Sequence, residues 1–325
     1  MTGAIRFSET GPPNVLRWEQ VGVNAPAAGE VRLRHTAIGV NMKEIGERQG
    51  AYPCPPLPTI PGIEAAAVVT DVGPGVADLA PGDRVCYATM PTGSYCEERT
   101  LAADRVVKSP DDIDDEVLAA ALHKGMTARN LVLKVYPIRA GDTILVHAAA
   151  GGTGSIVCQW AKHLGATVIG TVGSDAKARI ARQHGCDHVI NYCEEDFSVR
   201  VKDITGGEGL AVVYDSVGKD TFSRSLECLH PLGTMVLYGI ASGHPPPLEL
   251  MKFDIWKSYF YTRPSFFVYT KAREDLLASA QDLFEVIRSG AVKIDIHARI
   301  PLRNAAEAHR VVETRRTTGS VILIP

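Results

Sequence analysis

The sequence predicts an α/β protein: a doubly wound parallel sheet accompanied by a mostly β domain that the C-terminal segment completes. Three observations carry this. Between residues 142 and 240, short continuous apolar runs alternate with helix-length segments, the pattern of a parallel sheet covered on both faces. The first of those runs stops at a glycine cluster that opens a helix. The first 120 residues read instead as short strands and turns, and nothing after about residue 263 extends the strand–helix series.

In chain order, EVRLRHTAIGV (30–40) alternates apolar and polar positions, and EAAAVVTDVG (64–73) ends in a glycine turn; both predict strands. Prolines at 53, 55, 56, 58 and 61 make residues 51–62 an extended loop. PGDRVCYA (81–88) and the segment Tyr95–Leu101 continue the strand-and-turn style. DTILVHAAAGGTG (142–154) is a buried strand, and SIVCQWAKHLGA (155–166) a helix closed by Gly165. TVIGTVG (167–173), DHVINY (187–192), AVVYDSVG (211–218) and TMVLYGI (234–240) are further strands, with DAKARIARQHG (175–185) a helix between the first two. REDLLASAQDLFEVIRSG (273–290) is an amphipathic helix. NAAEAHRVVETR (304–315) opens with Asn304 and Glu307 at capping-box spacing, and SVILIP ends the chain as a strand.

Composition excludes several classes. The chain has 325 residues, enough for two domains, with 45% hydrophobic and 22% charged residues and a formal net charge of −3. Scattered charge of both signs argues against a nucleic-acid binder, and no apolar run approaches the roughly 18 residues of a membrane span. No secretory signal is visible at the N-terminus. Seven widely spaced cysteines without a C-x-x-C pair fit free thiols in the cytoplasm.

The strongest chemical signal is Ala149-Ala150-Gly151-Gly152-Thr153-Gly154, a G-x-G-x-x-G loop with Ala in the first place. Gly151 lets backbone approach a pyrophosphate, Gly154 lets helix pack on sheet, and the helix N-terminus supplies N–H groups for the anion. This predicts a dinucleotide. An NAD site carries Asp or Glu about 20 residues after the glycines. Here Gly173 and Ser174 stand there, with Lys177 one turn into the next helix. A cation and a small hydroxyl suit a 2′-phosphate and select NADPH; Asp175 holding the ribose hydroxyls is the competing arrangement and selects NADH.

The run Gly141-Asp142-x-x-Leu145-x-x-x-Ala149-Ala150-Gly151-Gly152-x-Gly154-x-x-x-x-Gln159-x-x-Lys162 resembles the quinone oxidoreductase/zeta-crystallin signature of the medium-chain dehydrogenase/reductase superfamily. The similarity extends to AIGVNMKE (37–44), the Tyr52-Pro53 loop, PGIEAAAVV (61–69), HKGMTA (123–128), VINY (189–192), YDSVG (214–218) and TRPS (262–265). The resemblance implies a GroES-like domain over 1–125, a Rossmann NADPH-binding domain over 126–262, and a return segment, 263–325, completing the first. It also implies cofactor contacts by Asn41, Lys124, Thr127, Asn130, Ala150, Gly151, Gly152, Thr153 and Gly154. Gly173, Ser174, Lys177, Tyr192, Ser216, Tyr238, Gly239, Ile240, Ala241, Arg263 and Arg315 complete that set. Asn41 and Tyr52, in cleft-facing loops of the family, are the expected catalytic pair, positioning the acceptor and donating to its oxygen.

Zinc-dependent members of the superfamily carry Cys, His and Cys where this sequence, by similarity, has Asn41, Ile63 and Lys124. The four-Cys structural-zinc lobe is missing as well. These side chains cannot form a tetrahedral N/S zinc site, so no metal is expected. An acceptor that takes hydride without a Lewis acid is then required. Quinones fit, making an NADPH:quinone oxidoreductase the leading reading. An enone, alkenal or enoyl-thioester reductase is the alternative, and a non-catalytic NADPH-binding protein the third. The aromatic stretch DIWKSYFYTRP (254–264), around an edge strand Ser258–Thr262, predicts a homodimer through the sheet edge.

Overall fold

The computed structural model describes residues 1–249, 251 and 255–325. The chain divides into two units, the first made of Met1–His123, Thr270–Arg288 and Ile294–Pro325, the second of Lys124–Tyr269 and Ser289–Lys293.

In the first unit, β1 (Thr2–Arg6) and β2 (Arg17–Val21) form an antiparallel pair. The larger sheet centres on β3 (Glu30–Val40), with β4 (Glu64–Val72), β5 (Arg84–Ala88), β6 (Glu98–Ala102) and β7 (Val107–Lys108). From the chain's end come β14 (Ile296–Pro301) and β15 (Ser320–Ile324), in the order β14-β15-β3-β4-β5-β7, with β6 also paired to β3. Val321 pairs with Val40 and Leu323 with Ile38 in an antiparallel ladder, so the C-terminal strand does complete the first unit. Alternate β3 side chains, Val31 and Leu33, join Val69, Val85, Tyr87 and Leu323 in one buried core. That burial on one face fixes the register.

The strand-and-turn pattern expected of the first 120 residues omits a helix, α1 (Met42–Gln49). The reason is physical: its buried face carries Glu44, Glu47 and Arg48 beside Ile45, so no apolar stripe betrays it. Within the strand-and-turn segment Tyr95–Leu101, the strand β6 begins at Glu98. The capping box expected at Asn304 does not form. Leu302–Asn304 is a 3-10 turn that leaves Asn304 at φ −100° and ψ 25°, without a capping hydrogen bond from its side chain; the helix Ala305–Glu313 follows.

α2 (Asp115–Asn130) runs from the first unit into the second. There β8 (Thr143–Val146), β9 (Thr167–Val172), β10 (His188–Asn191), β11 (Leu210–Asp215), β12 (Leu229–Leu237) and β13 (Phe260–Thr262) form a six-stranded sheet. Its order is β10-β9-β8-β11-β12-β13 and every pairing is parallel. Between strands lie α3 (Gly152–His163), α4 (Asp175–Gln183), α5 (Phe197–Ile204) and α6 (Phe222–Glu227). Counted along the unit this is 3-2-1-4-5-6, a Rossmann sheet, in which ligands bind at the carboxyl ends of strands where the order reverses. Leu145, Ile169, Phe197, Val213, Phe222 and Met235 form its core.

The edge strand is shorter than expected: Ser258 has φ +46°, which breaks the extended run before Phe260. Asp254, the first residue of the aromatic stretch, lies outside the described residues. No helix of the described residues is long and apolar enough to cross a membrane.

Candidate active site

β8 feeds the glycine loop. The tight turn falls at Ala148, whose φ of +54° is left-handed, and Ala148 O then accepts the Gly151 N–H at 2.9 Å. Gly151 caps α3 in extended geometry. A Cβ on Gly154 would lie 2.3 Å from Ala148 O; only glycine lets the helix start this close to the strand end. Ala150, Gly151, Gly152, Thr153 and Gly154 therefore bring a helix N-terminus, whose first N–H groups lack intrahelical acceptors, to the carboxyl edge of the sheet.

The next strand end carries the residues expected to choose the cofactor. Ser174 caps α4, its Oγ accepting the Lys177 N–H at 3.4 Å. Lys177 is half-buried, and that burial lowers its pKa. Asp175 sits in the helix's first turn, where Oδ1 accepts Asn191 Nδ2 at 3.5 Å. Tyr192 follows β10, and its hydroxyl lies 2.5 Å from where a Cβ on Gly173 would stand.

Beyond β11 the buried Asp215 organises the turn that carries Ser216. Its Oδ1 accepts the N–H groups of Val217 (2.7 Å) and Gly218 (3.0 Å), and its Oδ2 the Thr221 hydroxyl (2.7 Å). Ser216 O in turn accepts the Ala241 N–H at 3.0 Å. A Cβ on Gly239 would stand 2.8 Å from that same oxygen. So Ser216 and the segment Tyr238, Gly239, Ile240 and Ala241 are held together. Below them His147 is wholly buried, with Nδ1 2.8 Å from Thr171 Oγ1 and Nε2 2.8 Å from Ser225 Oγ. Because Ser225 donates its proton to Thr221 O, Nε2 is the donor and Nδ1 the acceptor. Burial lowers the His147 pKa and favours that neutral tautomer.

On α2, Lys124 and Asn130 are buried, and the buried Thr127 Oγ1 has no hydrogen-bond partner. Tyr238 OH is likewise buried without one in hydrogen-bond geometry, and burial raises its pKa. Buried hydroxyls without partners require a ligand or water. Together with the glycine cradle they fit a bound dinucleotide. Arg263 follows β13, exposed, at the same carboxyl edge of the sheet. Arg315, exposed with φ +55°, belongs to the first unit, as do Asn41 and Tyr52.

In the first unit β3 runs directly into α1 through Asn41. Asn41 and Glu44 form a capping box in which Glu44 Oε2 accepts the Asn41 N–H at 2.9 Å. Asn41 Nδ2 donates to Glu64 Oε1 at 2.9 Å and approaches Glu44 Oε1 at 3.4 Å. Glu64 Oε2 accepts the His123 N–H at 2.7 Å, and His123 Nδ1 faces Asn41 Oδ1 at 3.4 Å. Both carboxylates are buried, and burial raises Glu44 to about 7. Two acceptors thus hold the amide N–H groups, a polarity opposite to the donor role expected of Asn41. α1 ends at Gly50, φ +78°, and the chain folds back so that the Tyr52 ring lies on Gly46. A Cβ there would be 2.2 Å from Tyr52 Cδ2.

The donor set does not fit zinc. Ile63 is a buried alkyl side chain, and among the described residues no group of three or more His, Cys, Asp or Glu could hold a metal ion. The sequence alone does not bring Glu44, Glu64 and His123 together around Asn41. One signal was available: the glycines at 39 and 46 that make room for Glu64 and Tyr52.

Known proteins share this architecture. A zinc-binding dehydrogenase family model matches residues 152–282, and an alcohol dehydrogenase GroES-like domain model matches residues 27–134. The chain is 45% identical to a 2-haloacrylate reductase of Burkholderia sp, over 99% of this chain and 98% of that one. It is 45% identical to a quinone oxidoreductase of Pseudomonas aeruginosa over the full length of both. The crystal structure of Escherichia coli quinone oxidoreductase complexed with NADPH superposes with a TM-score of 0.97 at 43% identity, covering 99% of this chain and all of the other.

Proposed function

This chain belongs to the quinone oxidoreductase family, and from that premise we infer that it transfers a hydride from NADPH to a quinone. The observation that carries the reading is the anion cradle of the second unit. There a helix N-terminus stands beside a Ser174–Lys177 cap, and no carboxylate ends β9. Gly151, Gly152, Thr153 and Gly154 hold the pyrophosphate, and Ser174, Lys177 and Tyr192 the 2′-phosphate. Thr127, Ser216 and Tyr238 offer hydroxyls to the rest of the molecule. Bound NADPH supplies the hydride. The protein's own task is to orient the acceptor and exclude competing reactions.

Asn41 and Tyr52 hold the acceptor. A quinone gains aromaticity as it is reduced, and its product anion takes protons from water, so a site without a Lewis acid suffices. A second reading, reduction of an alkene conjugated to a carbonyl, is favoured by the 45% identity to the 2-haloacrylate reductase. The test is oxidation of NADPH and NADH against a panel of quinones, enones and enoyl thioesters. The reading requires a clear NADPH preference and turnover with quinones. Turnover confined to alkenes would replace it with the second reading.

We further propose a homodimer through β13, the outermost strand of its sheet. Phe260 and Tyr261 on the strand, and Ile255 and Trp256 before it, are exposed apolar side chains beside that edge, and such an edge associates unless covered. Light scattering at micromolar concentration tests this; a monomer would refute it. All seven cysteines are unpaired, which supports a reducing compartment, and we assign the protein to the cytoplasm.

A further inference from the structure

We propose that Glu64 is a positioning residue of the acceptor site: it fixes the polarity of the Asn41 amide, so that Asn41 serves as a hydrogen-bond acceptor and not as a donor. The inference rests on the reading of Asn41 as a site residue that contacts bound NADPH beside the acceptor.

The chain of placement begins at Gly39. A Cβ there would lie 2.2 Å from Glu64 Oε1 and 2.4 Å from Ala119 O, so glycine opens the space into which the Glu64 carboxylate projects from β4. Wholly buried, that carboxylate accepts from two donors on different elements: Asn41 Nδ2 at the start of α1 and the His123 N–H within α2. A carboxylate only accepts. The amide N–H group of Asn41 must therefore face it, with Glu44 Oε1 on the same nitrogen at 3.4 Å. Oδ1 is turned toward the Glu44 backbone N–H of the capping box and toward His123 Nδ1, which donates to it. With its N–H groups engaged, Asn41 cannot stabilise a developing oxyanion by donation. It can receive a hydroxyl, such as one of a bound cofactor's ribose, and the donor to a product anion is another group.

The arrangement makes a specific substitution informative. In Glu64→Gln the side chain has one oxygen for two donors. If that oxygen keeps the His123 N–H, the new NH2 group faces Asn41 and the amide inverts. Combining Glu64→Gln with Asn41→Asp restores complementarity between positions 41 and 64. Glu44 still faces the introduced carboxylate, so the variants are compared at pH 6, where the Glu44 carboxyl, raised to about 7 by burial, keeps its proton. The introduced amide then donates to one oxygen of the introduced carboxylate, whose other oxygen still accepts from His123. Each single variant should lower kcat/KM by about tenfold or more, the scale of one misdirected hydrogen bond to a charged group. The double variant should return to within about threefold of the wild type. The same cycle read as Tm should show the double variant unfolding above both singles. A double variant no better than the worse single, or a Glu64→Gln enzyme with wild-type kcat/KM, overturns the assignment.

Should Glu64→Gln fail to fold, Asn41→Asp carries the test alone. Its carboxylate faces Glu64 and Glu44, so its kcat/KM should recover as pH falls and a proton returns between them; full activity at pH 8 overturns the proposal. A wild type that oxidises NADPH with no quinone or alkene would sink the functional reading, while the Tm cycle still decides the role of Glu64.

Discussion

The hydroxyl oxygen of Tyr192 lies 2.5 Å from the point where a side chain on Gly173 would begin. Two strand ends, those of β9 and β10, meet through this contact, and Cys193 Sγ adds a 3.6 Å approach to Gly173 O. Replacing Gly173 by Ala forces the half-exposed Tyr192 ring away. If this corner holds the adenosine end of NADPH, its Kd should rise about three- to tenfold, the equivalent of roughly 1 kcal/mol. In a Tyr192→Ala background the same change should cost far less. Calorimetric titration checks both; equal losses in the two backgrounds would show that Tyr192 is not the cause.

Lys177 provides the selectivity prediction. Its N–H is engaged by Ser174, which fixes the start of α4, while its ammonium is half-buried. A charge-assisted hydrogen bond to a phosphate contributes roughly 1.5–3 kcal/mol. Lys177→Ala should raise the NADPH Kd by about one to two powers of ten and leave NADH nearly unchanged. Equal weakening of both cofactors would mean that the side chain acts on the fold alone.

Much of this was legible in the sequence because it is local. The strand Glu30–Val40 shows its period-2 alternation, and the glycine loop announces a helix start through residues only a few positions apart. α1 was not legible, since its buried positions are charged. Arg48 is wholly buried and is satisfied by Gly11 O, His309 Nδ1 and the Glu313 carboxylate. Partners so far along the chain leave no periodic trace. The left-handed turn at Ala148 was hidden for another reason, because alanine carries none of the preference that glycine would advertise. The polarity of Asn41 needed Glu64 and His123, brought to it by two other elements.

Stability should depend on pH through Glu44. Burial raises its carboxyl from an ordinary 4.5 to about 7. A raised folded-state value stabilises the fold below about 4.5, and that contribution is lost as pH rises through about 7. His35 and His309 act in the opposite sense. Burial lowers them to about 4 and about 3, so the stability they contribute above 6.5 is lost as pH falls. Comparing Glu44→Gln with the wild type isolates the first effect, because glutamine keeps an acceptor for the Asn41 N–H. The variant should gain on the wild type between pH 4.5 and 7, by at most about 1.4 kcal/mol per pH unit. Parallel Tm curves would show that Glu44 does not titrate in this window.

The last prediction separates Tyr52 from the helix beneath it. Gly46 is an interior residue of α1, where alanine should favour the helix by up to about 1 kcal/mol. Yet its Cβ would stand 2.2 and 2.6 Å from two carbons of the Tyr52 ring, so the ring must leave its place. Gly46→Ala should thus keep or raise Tm while lowering kcat/KM with a quinone by about 10–100-fold, the loss expected when an orienting or oxyanion hydrogen bond is removed. Tyr52→Phe should cost a similar factor, and the double variant little more than either single, because both remove the same hydroxyl from the same position. NADPH affinity should stay near the wild type in all three, since the glycine loop and the Ser174–Lys177 cap belong to the other unit. Steady-state kinetics with cofactor titration decides the matter. A Gly46→Ala enzyme of undiminished activity would remove Tyr52 from the reaction and leave its ring as a brace for the proline-rich loop.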